Sequence, residues 1–421
     1  MKTLIVFLIV FSIVVVIHEF GHFFFAKRAG ILVREFSIGM GPKLFSHQAQ
    51  DGTTYTVRAI PMGGYVRMAG YEEEEELKAG MPVSLVTNEK NQVIKINTSH
   101  KVQLANAIPL EVTQFDLTDD LMIAGFVNGD ETDSKTYQVD HDAMIIEEDG
   151  TQLRIAPRDV QFQSAKLHHR MMTNFAGPMN NFLLTILLFI LLVFVRGGVV
   201  DENSTAIGSL AEDGVASEAG LKTGDEILSI NQKSVDNWEN LQKVIQENPG
   251  QELTLEVQRG KEQLEIKATP KTVRSQGEKV GQLGITASLK TGFGDKIIGG
   301  IKESWTMFVQ ILAALKSLIT HPDIDQLGGP VAIFQMSNQA ASQGITTVIF
   351  LTAMISVNLG IMNLLPIPAL DGGKLLLNII EGIRGKPISE EKEGIITMVG
   401  FALLMLLMVL VTWNDIQRFF F

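Results

Sequence analysis

Three residues near the start of the chain could bind a metal and use it. His18, Glu19 and His22 form the pattern H-E-x-x-H. On a helix, side chains four residues apart lie on one face, so both imidazoles can reach a single zinc ion. The glutamate next to the first histidine lies beside that ion, where it can take a proton from a zinc-bound water. The pattern predicts a hydrolytic site with His18 and His22 as ligands and Glu19 as general base.

The H-E-x-x-H pattern lies within an apolar run. Residues from Leu4 to Ile17 carry no charge, and the apolar stretch continues from Phe23 to Ala26. Ionisable side chains in a membrane span cost roughly 2.5–3.5 kcal/mol each on insertion scales, so a cluster of them is hard to explain as packing. A secretory signal peptide is the alternative, but its positive region would contain only Lys2 and no small-x-small cleavage site follows. We therefore expect a metal site inside the bilayer.

A third protein ligand must come from elsewhere, because catalytic zinc sites use three protein ligands and a water. The chain has no cysteine, so the ligand is His, Asp or Glu. Asp371 is the best candidate, in the segment N-L-L-P-I-P-A-L-D-G-G that begins at Asn363. Pro366 and Pro368 prevent a regular helix from continuing there. We expect the Asp371 carboxylate at a depth similar to the histidines; a helix cap at the membrane surface is its alternative role.

Four apolar runs are long enough to cross a bilayer, which takes about 20 mostly apolar residues. We assign the spans to residues 1–26, 171–196, 343–366 and 394–413. Lysine and arginine are concentrated beside the spans in the 27–170 region and in the 367–393 loop. By the positive-inside rule these segments are expected in the cytoplasm. Residues 198–340 and both termini are then expected outside.

The segments between the spans predict further structure. Within 27–70, short apolar pieces bounded by glycine and proline predict membrane-associated β-hairpins: Arg34–Ile38, Thr53–Ile60 and Gly64–Met68. Residues 71–165 predict a cytoplasmic β-rich insertion, with turn signals at Asn128-Gly129 and Asp149-Gly150. The glutamate run Glu72–Glu76 is typical of a solvated linker. His141, His168 and His169 are also present before the second span, and we expect no catalytic role for them.

The 198–340 region predicts a soluble module and a helix. The stretch from Ala219 to Asn231 resembles the helix-turn-strand signature of PDZ domains, and 281–285 resembles their carboxylate-binding loop. PDZ domains bind extended peptides by strand addition. We assign this module to 203–290 and an amphipathic helix with a linker to 291–342. The apolar spacing from Lys296 to Thr320 fits equally a helix lying at the membrane interface and one packed in the outer region.

The two metal-site motifs together resemble the site-2 protease family of intramembrane zinc metalloproteases, of the RasP and RseP type. H-E-x-x-H stands in the first span and N-x-x-P-x-P-x-L-D-G follows the third; Gly177-Pro178 and Asn181 open the second. There is room for one PDZ domain, so the chain is more similar to the RasP branch. The resemblance implies a multi-span α-helical membrane protein with four transmembrane helices, membrane-associated β-hairpins, a cytoplasmic β-rich insertion and one circularly permuted PDZ domain.

The resemblance also implies roles and surroundings. His18, His22 and Asp371 would hold Zn²⁺, and Glu19 would be the base. The implied substrate-binding residues are Asn363, Gly39, Gly41, Pro366 and Pro368, with the Gly39-Met40-Gly41 segment and its hairpin neighbours forming a sheet that pairs with the substrate. Implied substrates are single-span membrane proteins in the lipid bilayer, such as anti-sigma factors and signal-peptide remnants. The implied location is the bacterial cell membrane, with the active site toward the cytoplasm and the PDZ domain outside.

Other functions fit the sequence less well. A net charge of −12 and the lack of a basic patch argue against a nucleic-acid partner. A zinc-stabilised membrane scaffold that presents a PDZ domain would not need Glu19, which is not a ligand. A metal transporter is expected to show polar groups in several spans and repeated halves. The third and fourth spans carry no charge, and no repeat is visible.

Overall fold

The structure is a computed structural model that describes residues 2–49, 51–70, 77–130, 134–148, 150–211, 214–275, 278–323 and 326–420. The predicted linker Glu72–Glu76 and Asp149 lie outside the described residues. The chain divides into two compact units. The first comprises Met1–Thr185 with Met307–Phe421, and the second comprises Ile186–Thr306.

The first apolar run forms one helix, α1 (Lys2–Arg28). Its buried residues follow helical spacing and form one stripe: Val10, Val14, His18, Gly21, His22 and Ala26. Leu4, Ile5, Ile9 and Ile13 are exposed on the other faces. The histidines therefore extend an otherwise apolar inward face, and the rest of the helix has the apolar surface expected for contact with lipid.

A folded β-sheet follows α1 and is built from two long strands, β1 (Val33–Gln48) and β2 (Thr54–Met68). Each strand bends, so the sheet has four segments in the order 43–48, 54–58, 35–38 and 64–68. Segment 35–38 pairs on both sides: Glu35 lies opposite Thr54 in a parallel register and opposite Arg67 in an antiparallel one. The sequence predicted separate hairpins and missed segment 43–48, in which Lys43, Ser46, His47 and Gln48 interrupt the apolar pattern.

One face of this sheet packs on α1, and its tip is apolar and exposed. The ring of Phe23 lies 5.1 Å from that of Phe36 and 5.9 Å from that of Tyr55, measured between centroids. Large apolar side chains project around the bends of the two strands: Ile38, Met40, Leu44, Phe45, Val57 and Ile60. These side chains form an exposed apolar patch at the tip of the sheet.

The insertion forms a closed β-barrel. Its strands are β3 (Pro82–Thr87), β4 (Val93–Asn97), β5 (Ile108–Asp116), β6 (Met122–Val127), β7 (Ser134–Ile146) and β8 (Gln152–Arg154). They pair in the order β4-β3-β5-β6-β7-β8, and β4 also pairs with β7, which closes β3 to β7 into a barrel. Asn128 and Gly129 take left-handed conformations in the turn after β6. Among the described residues of 77–165 no large apolar side chain is exposed.

Helix α2 (Leu167–Arg196) begins before the predicted span and contains Pro178. It enters the second unit, which is mostly β-structure with a separate apolar core. The elements that follow are β9 (Val199–Val200), β10 (Ile207–Leu210), α3 (Val215–Glu218), β11 (Glu226–Ile230), β12 (Lys233–Ser234), α4 (Trp238–Glu247), β13 (Leu253–Arg259), β14 (Glu262–Ala268), β15 (Lys271–Ser275), β16 (Glu278–Gln282), β17 (Ile285–Ala287) and β18 (Leu289–Lys290). Four strands pair in the order β12-β11-β13-β14, and β10-β17, β15-β16 and β9-β18 form pairs.

The described residues after β18 form the helices α5 (Phe293–Thr320), α6 (Pro330–Gln343), α7 (Ile345–Asn363), α8 (Asp371–Arg384) and α9 (Glu390–Phe420). The predicted linker before the third span thus contains a second helix, α6. Its N-terminus is capped by buried Asp415 of α9, which accepts hydrogen bonds from the backbone N–H groups of Gly329 (3.0 Å) and Ala332 (2.9 Å).

Four helices of the described chain are long and apolar enough to cross a membrane: α1, α2, α7 and α9. Helix α5 has a few buried residues and several large apolar residues that are exposed. Gly300 packs against the backbone of Ile190 in α2, while Ile298, Ile301 and Trp305 are exposed.

Candidate metal centre

Three ligand atoms converge where α1 meets the start of α8. His18 Nε2 lies 3.2 Å from His22 Nε2 and 3.2 Å from Asp371 Oδ2. His22 Nε2 lies 3.4 Å from the same carboxylate oxygen. Both histidines are buried, and the Asp371 side chain is 14% exposed. Among the described residues, this is the one group of three such side chains that could hold a metal ion.

The spacing of these atoms fits a tetrahedral zinc ion. Ligands at about 2.0–2.1 Å from a tetrahedral zinc are separated from each other by about 3.3 Å. The three observed separations lie within a few tenths of an ångström of that value. Asp371 Oδ2 is buried without a hydrogen-bond partner among the described residues. A metal ligand is therefore the role that satisfies this oxygen.

A backbone carbonyl orients His22. Its Nδ1 lies 2.8 Å from the carbonyl oxygen of Thr173 on α2 and donates a hydrogen bond to it. With its proton on Nδ1, the imidazole presents the lone pair of Nε2 toward His18 and Asp371. Such an outer hydrogen bond holds the tautomer that binds a metal.

Asn181 of α2 orients His18. Its side-chain amide lies 3.2 Å from His18 Nδ1, and its other polar atom is buried without a partner among the described residues. Metal binding through His18 Nε2 requires a proton on Nδ1, and that proton needs an acceptor. The amide of asparagine can be turned so that its oxygen faces the ring. We assign that orientation, because it gives His18 Nδ1–H the acceptor that it needs.

Two glycines allow α1 and α2 to approach closely at the site. A Cβ atom at Gly177 would lie 2.3 Å from His22 Nε2, and a Cβ at Gly21 would lie 2.3 Å from the carbonyl oxygen of Ala176. Any side chain at position 177 would therefore occupy the space between the ligands.

The connection between α7 and α8 places Asp371. After Asn363 the chain turns through the two prolines, and Ala369 adopts a left-handed conformation at φ +78°. A Cβ at Gly372 would lie 2.2 Å from the carbonyl oxygen of Leu364. The loop is thus folded tightly on itself, and Asp371 is the first residue of α8, where the helix dipole favours a negative charge.

Comparison with known proteins identifies the family. The family model of Peptidase family M50 matches residues 6–407. The chain belongs to peptidase family M50. A relative from Enterococcus faecalis, named "Probable protease eep", is 56% identical over 100% of both chains. Relatives from Streptococcus pyogenes serotype M6 (51% identical, 100% of both chains) and Lactococcus lactis subsp. lactis (50% identical, 100% of this chain and 99% of the relative) carry the name of a zinc metalloprotease.

This family membership confirms the predicted resemblance to the site-2 proteases. The M50 peptidase is therefore a membrane protease, and the predicted enzyme class is correct. Four apolar helices agree with a multi-pass membrane protein.

The other predicted site residues of the M50 peptidase lie in two places. Asn363 is the last residue of α7, and Pro366 and Pro368 lie in the connection that ends at Asp371. Gly39 and Gly41 lie at the bend between segments 35–38 and 43–48, with φ of +87° and +82°.

Sequence reasoning missed Gly64, which lies next to the predicted base. A Cβ on Gly64 would lie 3.7 Å from Cγ of Glu19 and 2.5 Å from the carbonyl oxygen of Ser37. The sequence places Gly64 only at the start of the predicted hairpin segment Gly64–Met68. The Thr173 carbonyl was also missed, because a backbone group leaves no signal in residue type.

Proposed function

We propose that this M50 peptidase is an intramembrane zinc endopeptidase that hydrolyses peptide bonds in the transmembrane segments of single-span membrane proteins. The convergence of His18, His22 and Asp371 on the inner face of an apolar helix carries the proposal. These three residues would hold Zn²⁺, the metal in the names of two relatives. When bound, zinc polarises a scissile carbonyl and acidifies its water ligand.

Other residues of the chain would transfer the proton and bind the substrate. Glu19 takes the proton of the attacking water and later gives it to the leaving amine. A membrane helix hides its peptide bonds in its own hydrogen bonds, so the substrate must unwind locally before it reaches Glu19. The edge segment 64–68 lies beside Glu19 and offers replacement backbone hydrogen bonds to an extended strand. We retain Asn363, Pro366, Pro368, Gly39 and Gly41 as proposed substrate-binding or loop-shaping residues.

The substitution Glu19→Gln tests the assignment of the base. Cleavage of a tagged single-span substrate should stop, while the zinc content stays at the wild-type level, because glutamine cannot take the proton and Glu19 is not a ligand. Glu111→Gln, an exposed glutamate of the barrel, is the matched control and should cleave normally. Cleavage by Glu19→Gln at the wild-type rate would rule out Glu19 as the base.

We further propose the domain arrangement and sidedness that the sequence predicts. The metal site lies toward the cytoplasm, with the 71–165 insertion on that side. The 203–290 module is a circularly permuted PDZ domain on the outer side, where it hinders substrates with large outer domains. The expected substrates are anti-sigma factors and signal-peptide remnants in the bacterial cell membrane.

The absence of cysteine allows a clean test of sidedness. Single cysteines at Asn128 in the barrel and Lys261 in the module can be treated in intact cells with a membrane-impermeant thiol reagent. The cysteine at 261 should react and the one at 128 should react only after lysis. The reverse pattern would contradict the proposed orientation.

A further inference from the structure

A cluster of hydrogen-bonded polar side chains lies on the face of the folded sheet that is turned away from α1. Glu35 Oε1 accepts hydrogen bonds from Thr56 Oγ1 (2.6 Å) and from Arg58 Nη2 (2.8 Å). Arg58 Nη2 also donates to the hydroxyl of Tyr65 (2.5 Å), and the guanidinium lies over the Tyr65 ring, 5.3 Å from its centroid. We refer to Glu35, Arg58 and Tyr65 as the charge staple.

The charge staple connects the segments of the sheet to one another. Glu35 belongs to segment 35–38, Arg58 to 54–58 and Tyr65 to 64–68. Arg58 also donates to Ser37 Oγ through Nε (3.1 Å) and to the carbonyl oxygen of Gly41 through Nη1 (2.9 Å). Gly41 lies at the bend that leads into segment 43–48, so one guanidinium contacts the central segments, the free edge and the bend.

The side chains of Glu35 and Arg58 are only 7% and 16% exposed. Burial alone would raise the pKa of Glu35, but hydrogen bonds from Thr56 and Arg58 outweigh it and hold that pKa below its ordinary value. Burial and then the hydrogen bond to Glu35 raise the pKa of Tyr65 to about 12. The pair is therefore charged throughout the physiological range. A buried ion pair contributes little stability over an apolar pair of the same size. Its role here is therefore to fix the relative positions of the strand segments that it joins.

Tyr65 lies in the segment that forms a free edge of the sheet. Segment 64–68 pairs with 35–38 on one side, and on its other side it pairs with no strand in the part of the chain that the structure describes. Its first residue, Gly64, is the one whose added Cβ would contact Glu19. The charge staple thus holds the free edge at the point where that edge meets the catalytic helix.

We propose that Glu35, Arg58 and Tyr65 are positioning residues that hold edge segment 64–68 in one register, so that an extended substrate strand presents a single peptide bond to Glu19. This inference rests on the proposed function. Successive residues of a strand are about 3.3 Å apart, so a slipped or loosened edge brings a different bond to the base. Misplacement of reacting groups by about 1 Å can lower the rate by about 100-fold.

The test is Arg58→Met in the full-length protein, with two measurements. Products of a single-span substrate are mapped by mass spectrometry, and exchange of the backbone amides of residues 64–68 is followed. We expect kcat to fall about 10- to 100-fold per zinc-loaded enzyme. We expect the single cleavage site to become several neighbouring sites, and the 64–68 amides to exchange faster. A role in overall stability alone would lower the amount of active enzyme without moving the cleavage site.

Arg259→Met is the matched control, because Arg259 also pairs with a buried carboxylate, that of Asp225, but lies in the second unit, whereas the folded sheet belongs to the first. It should keep the single cleavage site and wild-type exchange in 64–68. The exchanged pair Glu35→Arg with Arg58→Glu restores the ion pair but not the hydrogen bonds that the Arg58 guanidinium donates to Ser37 and Gly41, so it should recover the cleavage-site fidelity only in part.

The possible failures are distinguishable. Unchanged exchange and an unchanged single cleavage site in Arg58→Met would overturn the charge staple. A wild-type enzyme that cleaves no single-span substrate would overturn the proposed function instead. The exchange measurement needs no cleavage and still decides whether the staple holds the edge.

Discussion

The metal centre and the folded sheet both contact α1 close to Glu19, and each is held together in a different way. At the metal centre, helices approach closely because Gly21 and Gly177 carry no side chain, and backbone and amide groups of α2 orient the histidines. In the sheet, the strands bend and are joined by a buried ion pair between Glu35 and Arg58. Helix packing leaves the metal ligands little freedom, whereas a bent sheet with a free edge can change register. The second region therefore needs a specific device to keep one geometry.

Gly177→Ala should have the largest effect, and it acts on the metal centre alone. The added Cβ would lie 2.3 Å from His22 Nε2, so the ring must move away from the other ligands. We expect the variant to lose most of its bound zinc and its activity to fall by about 100-fold or more. That loss is larger than the loss expected when a ligand loses only an outer hydrogen bond. Zinc content by atomic absorption and the cleavage rate provide the measurements.

Gly394→Ala in α9 is the control for that substitution, since its Cβ would meet nothing within 4 Å. Its zinc content and rate should match the wild type. If Gly177→Ala behaved in the same way, the close packing of α2 on the ligands would be disproved. Amide exchange in the sheet should be unaffected by either substitution, which separates the two regions.

Asn181→Ala should have an intermediate effect on the same region. Loss of the acceptor for His18 Nδ1–H should weaken zinc binding about 10- to 100-fold. Asn181→Asp keeps an acceptor oxygen and should retain most of the affinity. Competition with a chelator of known affinity measures both variants. Equal losses in the two would show that Asn181 does not act as the acceptor for His18.

The smallest expected effect is a loss of local stability in the folded sheet at acidic pH. The pKa of Glu35 in the folded protein is below its unfolded value of about 4.3. The stability that ionised Glu35 gives to the folded state is therefore complete above its unfolded pKa, and it is lost as the pH falls through the lower pKa of the folded state. In metal-free protein prepared with a chelator, amide exchange in segments 35–38 and 64–68 is measured and corrected for the intrinsic rate. It should increase as the solution is acidified below about pH 4.

The substitution Glu35→Gln should flatten that dependence, because glutamine does not titrate. The chelated protein is used so that loss of zinc in acid does not contribute. An identical acid response in Glu35→Gln and wild type would assign the effect to other carboxylates.

Prediction from sequence succeeded best where the signal is local. The four apolar helices, the β-rich insertion and its turn at Asn128-Gly129 follow from runs and periods of residues near one another in the chain. The observed start of α2, at Leu167, precedes the predicted start at residue 171, because composition changes gradually there. Helix α6 lies in a segment that the sequence predicted as a linker. The sheet was only partly predicted, because segment 43–48 carries polar residues and its pairing depends on two bends.

The sequence by itself determined that His18 and His22 share a helix face with Glu19 between them, because α-helical periodicity is a local property of the backbone. It also marked Asp371, because two prolines and two glycines interrupt an apolar run around one carboxylate. Only the tertiary structure decided that the Thr173 carbonyl faces His22, that Gly64 lies beside Glu19, and that one arginine connects the segments of the sheet. These contacts join residues distant in the chain, and several use backbone atoms, which every residue carries and which leave no trace in residue type.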